Sequence, residues 1–167
     1  MNKNIKSLIV LPVIFIIVIA MLAGVNHITA PIIENAAMLR EQESLRVVLP
    51  GSERFEELSA EGLPKTVTGV YKEVNGLGYA ITLETVSQYS KSPLTFTVGI
   101  SGEGKIVGVE VTNYSETRDF GSYPETFVGK DAALDGVELV GGVTYSATAF
   151  KEAVKDAFAA LEEVEKQ

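Results

Sequence analysis

The sequence predicts an α+β fold, in which a transmembrane helix and a stalk helix precede a small domain with an antiparallel sheet and a C-terminal helix. Three patterns indicate it: an uncharged apolar run over residues 8–25, alternating apolar residues between 67 and 111, and a helical apolar stripe over 150–164. A chain of 167 residues is long enough for one ordinary domain with its own core. The predicted parts are a cytoplasmic tip with anchor, a stalk with connector, and the C-terminal domain: residues 1–30, 31–64 and 65–167.

The apolar run over residues 8–25 predicts a membrane anchor. As a helix it would span roughly 27 Å, close to a hydrocarbon core of about 30 Å. We prefer an uncleaved anchor to a cleaved signal peptide, because the run exceeds a typical signal-peptide core and residues 28–33 remain apolar. Lysines precede the run and glutamates follow it: Lys3, Lys6, Glu34, Glu41 and Glu43. The positive-inside rule therefore predicts a single-pass protein of the cell (inner) membrane, with a cytoplasmic N-terminus and an extracytoplasmic domain.

The remaining elements follow from periodicity. Residues 31–49 carry apolar side chains at helical intervals up to Pro50-Gly51 and predict the stalk helix, while the polar residues 52–64 predict the connector. Alternation predicts four strands, at 67–71, 79–83, 96–100 and 106–111, with hairpin turns at 75–79 and 101–104. A short helical turn at 124–127, a brief fifth strand at 137–140 and the final helix complete the domain. That helix carries an apolar stripe at Phe150, Val154, Phe158, Leu161 and Val164.

Charge and composition exclude several functions. Residues 34–167 contain 12 basic and 22 acidic side chains, a net charge of 12 − 22 = −10 that disfavours nucleic acid as a partner. The chain has no cysteine and a single histidine, His27. These counts exclude thiol nucleophiles, cysteine-held clusters and a Ser-His relay within the domain. The residues around Asp131 and Asp135 indicate a solvated turn, and not a metal site or an acid–base pair.

The segment most indicative of a binding site joins the predicted fifth strand to the final helix. It contains Gly141, Gly142, Thr144 and Ser146. Glycines allow a ligand close to the backbone, and the first N–H groups of a helix are free donors at the positive end of its dipole, so an anionic group could bind here without a lysine. The alternative is a plain glycine turn, with Thr144 or Ser146 as an ordinary N-cap.

A second candidate is the polar loop at residues 114–121, and its plainer interpretation is a solvated loop whose Phe120 anchors in the core. Together, in this order behind an apolar run, these features resemble the FMN-binding domain family, and within it the G subunit of Rnf-type electron-transport complexes. Residues 141–146 lie on the family's flavinylation signature, Ser/Thr-Gly-Ala-Thr-x-Thr/Ser, and residues 116–121 on its Glu-Thr-Pro-Gly-Leu-Gly loop. The chain departs from these patterns at Gly141, Val143, Arg118, Asp119 and Phe120.

The resemblance implies covalent FMN, attached through a phosphoester to Thr144, with Ser146 as the second candidate acceptor. The other residues it implies near the cofactor are Gly141, Gly142, Val143, Tyr145, Ser146, Glu116, Thr117 and Phe120. No catalytic acid, base or metal ligand is implied, because the flavin performs the redox chemistry.

The resemblance also implies a role and partners. The role is electron relay within a ferredoxin:NAD+ oxidoreductase that translocates Na+ or H+, and the partners are other membrane subunits, a flavin transferase and the lipid bilayer. Two alternatives remain open: a C-type subunit of a sodium-pumping NADH:quinone reductase, and a tethered binding or structural module without a cofactor.

Overall fold

The computed structural model describes residues 14–16, 18–19, 21–22, 24–25, 29, 42–59, 62–88, 91–116 and 118–166. The chain divides into two compact units, Met1–Glu41 and Gln42–Gln167. In the first unit the described residues are helical and their side chains are exposed. Within the described ranges, no helix combines the length and the apolar character needed to cross a membrane. Much of the predicted anchor, and the predicted stalk before residue 42, lie outside these ranges.

A five-stranded antiparallel sheet forms the centre of the second unit, with its strands in sequence order. The strands are β1 (Phe55–Glu57), β2 (Val67–Glu73), β3 (Gly78–Val86), β4 (Pro93–Ser101) and β5 (Ile106–Asn113). The four predicted strands are confirmed as β2 to β5, and the two predicted turns join β2 to β3 and β4 to β5. The buried carboxylate of Glu73 closes the first turn by accepting hydrogen bonds from Asn75 Nδ2 at 3.1 Å and the Leu77 N–H at 3.2 Å.

Two predictions about strands are wrong. Residues 137–140 form no strand: only Val137 is buried, and its carbonyl accepts a hydrogen bond from Lys151 Nζ at 2.8 Å. Conversely, β1 lies in the predicted connector, where it pairs with β2 from Phe55 opposite Glu73 to Glu57 opposite Tyr71. This strand has three residues and mostly exposed side chains, so its apolar and polar residues do not alternate over enough positions to predict a strand from sequence.

The C-terminal helix, Thr144–Glu165, covers one face of the sheet. Its predicted apolar stripe is confirmed, with Phe150, Val154, Phe158 and Leu161 buried and Val164 partly buried against the core. Phe150 lies at the centre of an aromatic cluster: its ring stacks on Phe96 with centroids 4.1 Å apart. The other rings within 5.8 Å of it are Phe120, Tyr123 and Phe127. Phe127 is the last residue of the predicted helical turn, which is a 3₁₀ helix at Pro124–Phe127.

Helical residues 42–48 lie on the opposite face, over two glycines of the sheet. A Cβ atom on Gly99 or Gly108 would lie 2.1 or 2.6 Å from the Val48 carbonyl oxygen, so only glycine permits this approach. Ser44 Oγ donates to Thr97 Oγ1 at 2.9 Å in the same buried interface. Residues 42–57, assigned from sequence to the stalk and connector, therefore fold together with the domain.

We predict that Gly99→Ala lowers the free energy of unfolding by about 1–3 kcal/mol, because the added methyl group displaces the Val48 backbone from the sheet. Urea unfolding of the full chain measures this loss. Gly102→Ala is the matched control: its Cβ would meet nothing nearer than the Gly76 carbonyl oxygen, at 3.5 Å. Equal stabilities of the two variants would contradict the packing described here.

A second prediction concerns alkaline pH. Burial raises the pKa of Tyr123 to about 12, and its hydroxyl donates to the Ala147 carbonyl at 3.2 Å. Because the folded state favours the neutral phenol, Tyr123 contributes to the free energy of unfolding. This contribution is complete below about pH 10 and is lost as the pH rises toward about 12.

In urea unfolding at pH 9, 10 and 11, Tyr123→Phe should therefore reduce the alkaline loss of stability. At neutral pH it should cost about 1 kcal/mol for the missing hydrogen bond. Tyr145→Phe, which removes an exposed phenol, is the control. If the free energy of unfolding of Tyr123→Phe depends on pH as that of the wild type does, the raised pKa of Tyr123 is contradicted.

Candidate functional site

A pocket of about 420 Å³ opens where the C-terminal helix begins. This volume falls within the range of about 300–1,000 Å³ that is typical of small-molecule sites. Two segments of the chain form it, the loop after β5 and the first turn of the helix. The lining residues are Glu116, Arg118, Gly142, Val143, Thr144, Tyr145 and Ser146.

The helix begins without a side-chain cap. Its N-cap residue is Val143, no side chain caps it by a hydrogen bond, and the first turn contains no acidic residue. The interpretation of Thr144 or Ser146 as an ordinary N-cap is therefore wrong. The first N–H groups of a helix have no partner within it and lie at the positive end of the dipole. The N-terminus of this helix can therefore bind an anion.

The hydroxyls of Thr144 and Ser146 lie in different environments. Thr144 is exposed, and its hydroxyl makes a weak hydrogen bond of 3.4 Å to the Val140 carbonyl. Ser146 is 1% exposed, and its hydroxyl donates to the carboxylate of Glu116. Of these two residues, therefore, Thr144 is the one that presents its hydroxyl to a molecule entering from solvent.

The carboxylate of Glu116 connects three elements around the pocket. Its Oε1 accepts from Ser87 Oγ, at the end of β3, at 2.5 Å, and its Oε2 accepts from Ser146 Oγ on the helix. The Tyr114 hydroxyl, after β5, lies 3.5 Å from Oε2 and donates to the Arg118 carbonyl at 2.6 Å. Because β3 and β5 run in the same direction, their ends meet at one edge of the sheet. Burial, and then the charge of Glu116, raise the pKa of the Tyr114 phenol.

The positively charged guanidinium of Arg118 lies at the N-terminus of the helix. A Cβ on Gly142 would lie 2.6 Å from Arg118 Nη1, so the guanidinium packs directly on the glycine backbone. Gly142 also has a φ of +90°, which disfavours any other residue. Among the described residues, ion pairs join Lys155 to Glu152 and Lys166 to Glu163, and Arg118 takes part in neither.

The structure brings together six of the predicted site residues and separates others. Those that line the pocket are Gly142, Val143, Thr144, Tyr145, Ser146 and Glu116. Gly141 is exposed and is not part of the lining, and Thr117 lies outside the described residues. Phe120 is also outside the lining: its buried ring stacks on Tyr114 with centroids 4.2 Å apart and contacts Phe150 in the core.

Arg118 and Tyr114 belong to the candidate loop at residues 114–121 but were not among the residues expected near the cofactor, and Ser87 was not predicted at all. The departure of Arg118 from the proline of the loop pattern was the available signal, because a cation there changes the charge of the loop. Ser87 follows a strand in a polar segment and carried no such signal. Asp131, as expected for a turn, accepts a hydrogen bond from the Ala133 N–H at 3.0 Å. The described residues contain no group of three or more potential metal ligands.

Comparison with known protein families finds a match over part of the chain. No curated protein matches the chain. The segment that matches the family model begins just before β4 and extends into the last turns of the C-terminal helix. The match supports FMN as the cofactor and a flavin-binding, electron-transfer role. Residues 90–159 match the model of the FMN-binding domain family, and this segment contains every residue that lines the pocket.

Proposed function

We propose that this protein carries FMN covalently on Thr144 and relays electrons as a membrane-anchored subunit of an Rnf-type ferredoxin:NAD+ oxidoreductase. One observation carries the proposal: an exposed threonine hydroxyl stands at an uncapped helix start, inside a segment that matches the FMN-binding domain family. The translocated ion would be Na+ or H+.

The residues of the pocket suit the parts of FMN. The phosphate carries negative charge, and the helix start and Arg118 are the positive groups of the pocket. The flat ring needs an apolar or aromatic surface, and Tyr145, which is 61% exposed, provides one beside Thr144. Leu139 and Val140 add exposed apolar surface just before the pocket. When bound, the isoalloxazine ring supplies the electron transfer.

Thr144 is the better acceptor of the two candidate hydroxyls. Ser146 is buried and its hydroxyl donates a hydrogen bond to Glu116, so its oxygen is not accessible to a transferase. Attachment at Thr144 forms a bond from Oγ1 to phosphorus, and the bond from phosphorus to the leaving group of an activated FMN donor breaks. The hydroxyl proton departs to a base. The protein gains the mass of FMN less one water, and a partner flavin transferase would supply the donor.

The chain's own residues then position the cofactor and perform no acid–base chemistry. Glu116 holds the first turn of the helix through Ser146 and the end of β3 through Ser87. This holds the base of the pocket on two rigid elements, so the position of Thr144 is defined by the sheet as well as by the helix. A fixed attachment point keeps the distance to a redox partner within a narrow range.

The membrane context completes the proposal. The uncharged run at residues 8–25 would anchor the protein in the cell membrane as a single pass, with a cytoplasmic N-terminus and an extracytoplasmic domain. Covalent attachment suits such a location, because FMN lost outside the cytoplasm could not readily be replaced. Other membrane subunits of the complex would deliver and remove the electrons.

We predict that Thr144→Ala abolishes flavinylation. The full chain should be produced with a flavin transferase and examined by intact mass and by flavin fluorescence of the denatured band. The wild type should gain the mass of FMN less one water on the peptide containing Thr144, and Thr144→Ala should gain nothing.

The matched control is Thr148→Ala, one helical turn later, whose exposed hydroxyl donates to the Thr144 carbonyl at 2.8 Å. It should be flavinylated like the wild type, and Thr144→Ser should retain attachment. A wild-type chain that lacks the added mass would contradict covalent attachment, and one that also binds no FMN would favour the tethered module without a cofactor. Added mass in Thr144→Ala would move the attachment to another hydroxyl.

A further inference from the structure

We propose that Arg118 selects a phosphate-bearing flavin at this pocket, by pairing its guanidinium with the phosphate that links the flavin to Thr144. This inference rests on the proposed function, and it concerns a residue that departs from the loop pattern of the family. The pattern has proline at this position, so the cation is a feature of this chain.

The first argument is the position of the guanidinium. Arg118 and Thr144 line the same pocket, and Arg118 Nη1 lies against Gly142, two residues before the threonine. Any side chain at residue 142 would displace the guanidinium, since the added Cβ would come within 2.6 Å of it. The hydrogen bond of 2.6 Å from the Tyr114 hydroxyl to the Arg118 carbonyl holds the loop backbone in place.

The second argument is that Arg118 lies at the helix start without belonging to any of the ion pairs among the described residues. A cation at the N-terminus of a helix lies at the unfavourable, positive end of the dipole. Arg118 nevertheless lies there, and none of the ion pairs among the described residues includes it. A phosphate at this position would pair with the guanidinium and with the free N–H groups of the helix at once.

The one acidic side chain that lines the pocket does not replace such a ligand. The carboxylate of Glu116 accepts hydrogen bonds from Ser87 and Ser146, and the Tyr114 hydroxyl lies 3.5 Å from it. These hydroxyls come from the end of β3, from the helix and from the residues after β5. These hydroxyls fix the Glu116 carboxylate, whereas the Arg118 guanidinium lies against Gly142, where an anion could bind to it.

Riboflavin is the diagnostic comparison, because it has the same ring as FMN and no phosphate. The experiment uses the full chain carrying Thr144→Ala, which cannot form the covalent bond and so permits equilibrium titration. FMN and riboflavin are titrated separately, with flavin fluorescence as the readout. The same titrations are repeated with Arg118→Gln and with Arg118→Lys added. Arg54→Gln, an exposed arginine at the opposite end of the sheet, controls for the change in net charge.

We expect Thr144→Ala to bind FMN at least about tenfold more tightly than riboflavin. Adding Arg118→Gln should weaken FMN binding roughly 10- to 100-fold, the usual effect of a hydrogen-bonded charge pair, and leave riboflavin binding nearly unchanged. Arg118→Lys should retain part of the preference, since lysine keeps the charge without the bidentate geometry. Raising the salt concentration should reduce the preference for FMN in the parent chain. Arg54→Gln should change neither affinity.

Equal affinities for FMN and riboflavin in Thr144→Ala would overturn the inference, as would an FMN affinity unaffected by Arg118→Gln. Failure of the proposed function is a separate result. If the wild type never gains the mass of FMN but the titrations show the Arg118-dependent preference, then covalent attachment is wrong and phosphate selection stands. If the wild type is flavinylated on Thr144 without that preference, only the inference about Arg118 fails.

Discussion

The packing of Phe150 against Phe96 is the contact on which the rest of the domain depends. It joins the first turns of the C-terminal helix to the middle of β4, and three further aromatic rings surround it. Because aromatic rings bury large apolar areas in defined geometries, this cluster sets both the height and the angle of the helix on the sheet. The start of the helix, and with it Thr144, is thereby placed at the edge where β3 and β5 end.

A second, polar connection refines that placement. Glu116 receives hydroxyl hydrogen bonds from the end of β3 and from the helix, so its carboxylate joins two elements that the aromatic cluster has already brought close. Hydrogen bonds to an ionised group are among the stronger ones, and their directions are specific. The apolar core therefore determines where the helix lies, and the carboxylate determines how its first turn presents Ser146 inward and Thr144 outward.

The site is a local exception to the electrostatics of the chain. The protein has a formal net charge of −8, which repels anions at a distance. At the N-terminus of the C-terminal helix, the positive end of the backbone dipole and the Arg118 guanidinium lie in one pocket, which also contains the carboxylate of Glu116. An anionic group bound there depends on short-range contacts that only the folded loop and helix bring together. A covalent tether would add to such contacts without requiring any change in the overall charge.

Periodicity alone determined most of the fold: β2 to β5 and the apolar stripe of the final helix follow from alternation and helical spacing, because burial of one face dictates both. The resemblance likewise pointed to Gly142, Thr144 and Glu116, which line the pocket. Tertiary structure decided the rest. β1 forms because β2 offers it a partner. Residues 137–140 lie outside the sheet, and the Val137 and Val140 carbonyls accept hydrogen bonds from Lys151 and Thr144 of the C-terminal helix. Arg118 reaches Gly142, and Phe120 enters the core instead of the pocket, because contacts across more than 20 residues bring these groups together, and local sequence patterns carry no information about such distances.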